Sequence, residues 1–138
     1  MILTNIDFSN LLLLFMGAIM AMERREKMLN HVILVGRLTS TPEVKVSENG
    51  KKRSSVVLAV PRNYKNSSGE YETDFVDCVL WTTVAENTAE YCKVGDMIGV
   101  KGRLQSRYIE NAEGVKKKKT EVVAERITFL SSAKTKEE

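Results

Sequence analysis

Asp74–Trp81 constrains the chain most. It reads Asp-Phe-Val-Asp-Cys-Val-Leu-Trp, eight residues dominated by β-branched and aromatic types, which predicts a strand. Side chains alternate across a strand, so Val76, Cys78 and Leu80 share one face and Phe75, Asp77, Val79 and Trp81 the other. The first set suits a packed interior. The second carries a carboxylate and is expected to look outward. Two exposed rings on a rigid strand either present a platform to flat partners such as nucleobases or pack against a neighbouring subunit or covering loop.

The rest of the chain frames that strand with others. Asn30–Leu38 is apolar and β-branched, with Gly36 marking a bend or close backbone approach, and Glu43–Val46 resumes it beyond Thr41-Pro42. Glu48-Asn49-Gly50 is a turn signal. Ser54–Val60 predicts a second strand closed by Pro61, and Arg62–Thr73 a polar loop with its tip at Ser68-Gly69. Beyond Trp81 the period changes. Thr83-Val-Ala-Glu86 has capping-box spacing, and Gly95 ends the short helix after Lys93. In Asp96–Arg107, Ile98, Val100, Gly102 and Leu104 form the expected inward row, and Lys101, Arg103, Gln105 and Arg107 a basic outward row. Asn111–Gly114 turns the chain into a last strand, Thr120–Leu130. Five strands with one short helix between strands 3 and 4 predict an all-β OB-fold, a five-stranded Greek-key barrel.

Composition narrows the function classes. The net charge of +3 permits nucleic-acid binding without requiring it. Cys78 and Cys92 have no zinc-site spacing, and His31 is the single histidine, so neither a metal centre nor a histidine-based triad is expected. No glycine-rich phosphate loop occurs, and no enzymatic activity or cofactor is expected.

Residues 1–27 and 131–138 stand apart from this pattern. Leu11–Met22 is apolar but shorter than the roughly 20 residues of a membrane span, and its positive charges, Arg24, Arg25 and Lys27, follow it rather than precede it. Glu23-Arg24-Arg25-Glu26 can be encoded by a purine tract resembling a bacterial ribosome-binding site ahead of Met28. Residues 1–27 are therefore expected to be translated leader, with an apolar anchor as the alternative. The polar tail from Ser131 is expected to be disordered.

Across residues 28–130 the chain resembles the bacterial single-stranded-DNA-binding proteins. The resemblance is carried by Asn30-His-Val-Ile-Leu-Val-Gly-Arg-Leu38 with Thr41-Pro-Glu43, by Asp74–Trp81, and by Ala85-Glu-Asn-Thr-Ala-Glu-Tyr91. Val100-Lys-Gly-Arg-Leu-Gln-Ser-Arg107 and Thr120-Glu-Val-Val123 complete it. It implies a homotetramer that binds single-stranded DNA without sequence preference, in the cytoplasm and with the nucleoid, serving replication, recombination, repair or DNA uptake. It implies no membrane or small-molecule partner. Stacking aromatics fall on Tyr64, Phe75 and Trp81; a fourth belongs at Ile109, one place beyond Tyr108, which stacks only if a bulge re-aims it. Arg37, Arg62, Lys65, Lys101, Arg103 and Arg107 are candidate phosphate partners, with Lys116–Lys119 an exposed basic arm. Asn30, His31, Val32 and Ile33, at the start of the first strand, are expected at the subunit interface. The acidic tip through which longer members recruit repair enzymes has no counterpart in Lys-Thr-Lys-Glu-Glu, so recruitment by that route is not expected. The competing class is an OB-fold adaptor of a primosome-type assembly, its rings forming a protein–protein surface.

Overall fold

The computed structural model describes residues 9–20 and 28–132. They divide into two units, Met1–Asn30 and His31–Glu138. In the first, residues 9–20 form helix α1, whose side chains are exposed. Among the described residues no helix is long and apolar enough to cross a membrane. The leader expectation otherwise concerns residues 1–8 and 21–27, outside the described residues.

The second unit is the barrel. Its strands are β1 (Val32–Leu38), β2 (Lys45–Val46), β3 (Lys52–Lys65), β4 (Tyr71–Trp81), β5 (Met97–Glu110) and β6 (Lys116–Ser131), with helix α2 (Thr82–Tyr91) between β4 and β5. The sheet runs β1-β5-β6-β4-β3-β2 and closes where β1 pairs β3 at Arg37↔Ala59 and Leu38↔Leu58. Five long strands thus make the expected OB-type barrel. The two-residue β2, set apart from β1, shifts the helix from the third interval to the fourth. Leu38, Val56, Leu58, Cys78, Leu80, Ile98, Val100 and Val122 fill the interior, and Ala85 and Cys92 bring the α2 segment onto it. Each fully buried Leu, Ile or Val contributes about 1.5–3 kcal/mol.

Two glycines set how tightly the barrel closes. A Cβ on Gly36 would stand 2.5 Å from the Ala59 carbonyl oxygen, and one on Gly102 would come closer still to that of Val123. Both are places where only a bare backbone fits against the next strand.

Several local expectations are corrected. Val79 is buried rather than outward: it lies mid-sheet between Ser55 on β3 and Val123 on β6, and alternation does not register such lateral cover. Leu104 is 48% exposed rather than inward, because past Gly102 the β5–β6 pair runs out toward the free end of the sheet. Pro61 does not end its strand. β3 continues to Lys65 through a register shift after Pro61, where a missing N–H is tolerated. The polar loop is consequently a hairpin, whose turn is closed by the Asn66 side chain accepting from Ser68 N and Glu70 N. The capping box does not form. α2 starts two residues early, with Trp81 rather than Thr83 at its N-cap and no side-chain cap, and Glu86 pairs with Lys52 instead. The helix ends at Tyr91, and the following turn is held by Lys93 N donating to Asp96 Oδ2. Ser131 belongs to β6, opposite Met97, and residues 133–138 lie outside the described residues.

Both thiols are buried, and burial pushes Cys78 up to about 11, with the Asp77 charge adding to it. Burial, and secondarily Asp96, raises Cys92. Only thiolates react readily. A disulfide reagent near neutral pH is expected to label neither cysteine in the folded protein and both after denaturation. Rapid labelling of the native state would contradict this burial.

Candidate nucleic-acid interface

The outward face of β3 and β4 is built from directly opposed pairs. Phe75 stands opposite Ala59, Asp77 opposite Val57, Val79 opposite Ser55 and Trp81 opposite Arg53. Small β3 residues beside Phe75 leave its ring uncovered, at 67% exposed. Trp81 is half-buried, with the Arg53 guanidinium 5.5 Å from its ring centroid. Through Val79 and Val123 the same face continues to Arg103 on β5, which is exposed and bonded to Gln105. Phe75, Trp81 and Arg103 therefore lie on one side of the sheet, with the buried Val79 and Val123 between Arg103 and the β4 rings.

The other candidate residues are placed less simply. Tyr64 is exposed, but its ring stands 6.0 Å from Arg62, whose guanidinium is already engaged: Nη1 donates to Glu72 Oε2 at 2.5 Å, and Nη2 and Nε to Asp74 at 2.9 and 3.1 Å. The hydrogen bond with Asp74 raises Arg62 above its usual value and holds the Asp74 carboxyl below the ordinary carboxylate range. The pair is complete at neutral pH and is lost as pH falls through that lowered value. Arg107 Nε donates at 2.7 Å to Glu121, which is only 3% exposed. Lys119 of the neighbouring β6 lies 3.8 Å from the outward Asp77 carboxylate. Lys65 sits over Tyr71, its opposite number on β4, so Tyr71 carries an ammonium group. Arg37 is spent on the Gly95 carbonyl, at 3.0 Å. Lys101 stands opposite Ile33 of β1, which puts it on the β1–β5 wall with the expected subunit contacts.

Tyr108 does not join the platform. From Gly102 to Glu110 the β5–β6 register advances one residue at a time, so no bulge re-aims it, and it shares Leu104's row opposite Lys118. Ile109 occupies the alternate row, with Arg103 and Arg107.

On β1, Val32 packs toward the core, while Ile33 is 77% exposed and Val35 also lies open. The edge of Val32–Gly36 away from β5 has no strand partner among the described residues. Asn30 ends the first unit, and His31 begins the second and is exposed.

Residues 29–130 match the family described as "Single-strand binding protein family". The chain belongs to this family. It is 50% identical over 103 residues to single-stranded DNA-binding protein B of Bacillus subtilis, covering 75% of this chain and 91% of that one. Against protein A of the same organism the identity is also 50%, over 60% of the relative's length, and against protein 1 of Lactococcus lactis 46%, over 72% of it.

Sequence reasoning missed Arg53 and Lys45. The signal was present in Lys51-Lys52-Arg53 beside the Asn49-Gly50 turn: extending the β3 alternation back two residues from Ser55 puts Arg53 on the outward row.

Proposed function

We propose that this family member binds single-stranded DNA without regard to base sequence, stacking bases on Phe75 and Trp81 and holding the backbone through basic groups led by Arg103. The observation that carries the reading is the uncovered Phe75 ring, fixed on a rigid strand on the same side of the sheet as Trp81 and Arg103. Every base has a π-face, so stacking tolerates any sequence. The names of the relatives, all single-stranded DNA-binding proteins, support the same conclusion. Tyr64 contributes from the β3–β4 hairpin, and Arg62, Lys65 and Arg107 reach phosphates only by exchanging their present partners.

Assembly extends the reading. Val32–Gly36 pairs with its mate across a two-fold axis, Ile33 and Val35 are covered, and two such dimers form a tetramer. The protein acts without catalysis or cofactor, in the cytoplasm with the nucleoid, protecting strands during replication, recombination, repair or uptake.

The test is a salt-dependent titration against oligo-dT, duplex DNA and RNA, with mass measured alongside. Oligo-dT is expected to quench Trp81, the single tryptophan. The logarithm of the binding constant should fall with log salt at about −0.7 per neutralised phosphate. Unchanged emission with saturating oligo-dT at low salt, or equal affinity for duplex, would refute the reading.

A further inference from the structure

Lys45, Arg53 and Trp81 form one row across three strands: Lys45 is directly opposite Arg53, and Arg53 directly opposite Trp81. Like charges set opposite each other in an antiparallel ladder repel. Among the described residues neither cation has an ion-pair partner, although Arg62, Lys52, Arg107 and Lys119 all have one. Arg53 Nε is shut off from solvent and has no hydrogen-bond partner. A shielded donor with nothing to bond costs stability, so Arg53, with the exposed Lys45 charge beside it, calls for a compensating group.

The space beside them fits that group. A cleft of about 500 Å³ opens between the β1–β2 segment and β3, lined by Ser40, Thr41, Ser47 and Ser55, by Val46, by Lys45 and Arg53, and by one acid, Glu43. A cleft lined by two cations and several hydroxyl-bearing residues is suited to a phosphate, and a guanidinium receives one through a planar fork of donors. Arg53 also lies over the indole, 5.5 Å from its centroid, so a phosphate held by the guanidinium sits beside that ring.

We propose that this cleft is a phosphodiester subsite in which Arg53 and Lys45 hold the backbone of single-stranded DNA next to the base carried by Trp81. The strand then runs from Phe75 along β4 and over the end of the sheet toward β2. The inference rests on the single-stranded-DNA reading and adds a direction and two ligands to it.

Labelled oligo-dT is titrated by anisotropy, across a range of salt, into the full chain and its Arg53→Ala, Arg53→Lys and Lys45→Ala variants, with melting temperatures as the control for folding. Arg53→Ala is expected to weaken binding about tenfold at low salt. Each alanine variant should flatten the salt slope by about 0.7, while Arg53→Lys keeps the slope and loses part of the affinity. If Arg53→Ala does not fold, Lys45→Ala and Arg53→Lys carry the comparison. Parental slope and affinity in both Lys45→Ala and the Arg53 variants would overturn the subsite and leave the parent's DNA binding standing. A parent chain that ignores oligo-dT would overturn both.

Discussion

Phe75→Ala combined with Trp81→Ala is expected to weaken oligo-dT binding by about 2–6 kcal/mol, since each stacked base is worth about 1–3 kcal/mol. That corresponds to roughly 30-fold to 20,000-fold in dissociation constant. The rings outweigh the charges for a structural reason. Arg62, Arg107 and Lys119 are already partnered by Asp74 and Glu72, Glu121 and Asp77. A phosphate reaching any of these replaces an existing attraction instead of creating one. Phe75, by contrast, gives up only water. The loss should therefore persist at salt concentrations that screen the charges. Phe75→Ala alone should leave the melting temperature nearly unchanged, because little of the ring is packed. A double variant that binds oligo-dT like the parent would remove the stacking platform from the account.

Gly102→Ala is expected to be the most damaging single methyl in the barrel. Its Cβ would overlap the Val123 carbonyl oxygen, and a backbone atom cannot swing away as a side chain can. The β5–β6 ladder would have to part beside its register shift at Lys101/Gly102, where Val100 and Val122 fill the core on either side. Overpacking costs about 1–3 kcal/mol and sometimes more, and backbone displacement belongs at the upper end. At about 4–8 °C per kcal/mol for a domain of this size, the melting temperature should fall by more than roughly 12 °C. Gly99→Ala is the control: nothing lies nearer than 3.8 Å to its built Cβ, so it should melt close to the parent. Equal melting of the two variants would show that the close approach at Gly102 does not limit closure.

The parts legible in the sequence depend on period and punctuation. Strict alternation in Asp74–Trp81 places Cys78 and Leu80 inside and Phe75 outside, and the structure has them so. Asn49-Gly50 and Asn111–Gly114 announce their hairpins through residues that accept positive φ. What alternation misses is whatever comes from the side or from a distant strand. Val79 is shielded laterally by β3 and β6, and Leu104 is inward by parity but lies where the ladder leaves the core. The charge partners were hidden for a related reason. Arg62 meets Asp74 and Glu72 because β3 runs on past Pro61 as the partner of β4, through residues whose polarity predicts a loop. Counting lysines and arginines therefore overstates the free positive charge at the site. Arg53 was concealed differently, within a basic run beside a turn, where solvent-exposed charge is the usual state.

Beyond Gln105, Ser106–Glu110 pairs only with Lys116–Thr120. A two-stranded ribbon without a hydrophobic layer beneath it is marginally stable in water. Its amide protons should accordingly trade with deuterium far sooner than those of Ile98–Gly102, which sit between β1 and β6 over the interior. Tyr108 and the four consecutive lysines thus ride on a segment that opens by itself, at little free-energy cost and without disturbing the barrel that carries Phe75 and Trp81.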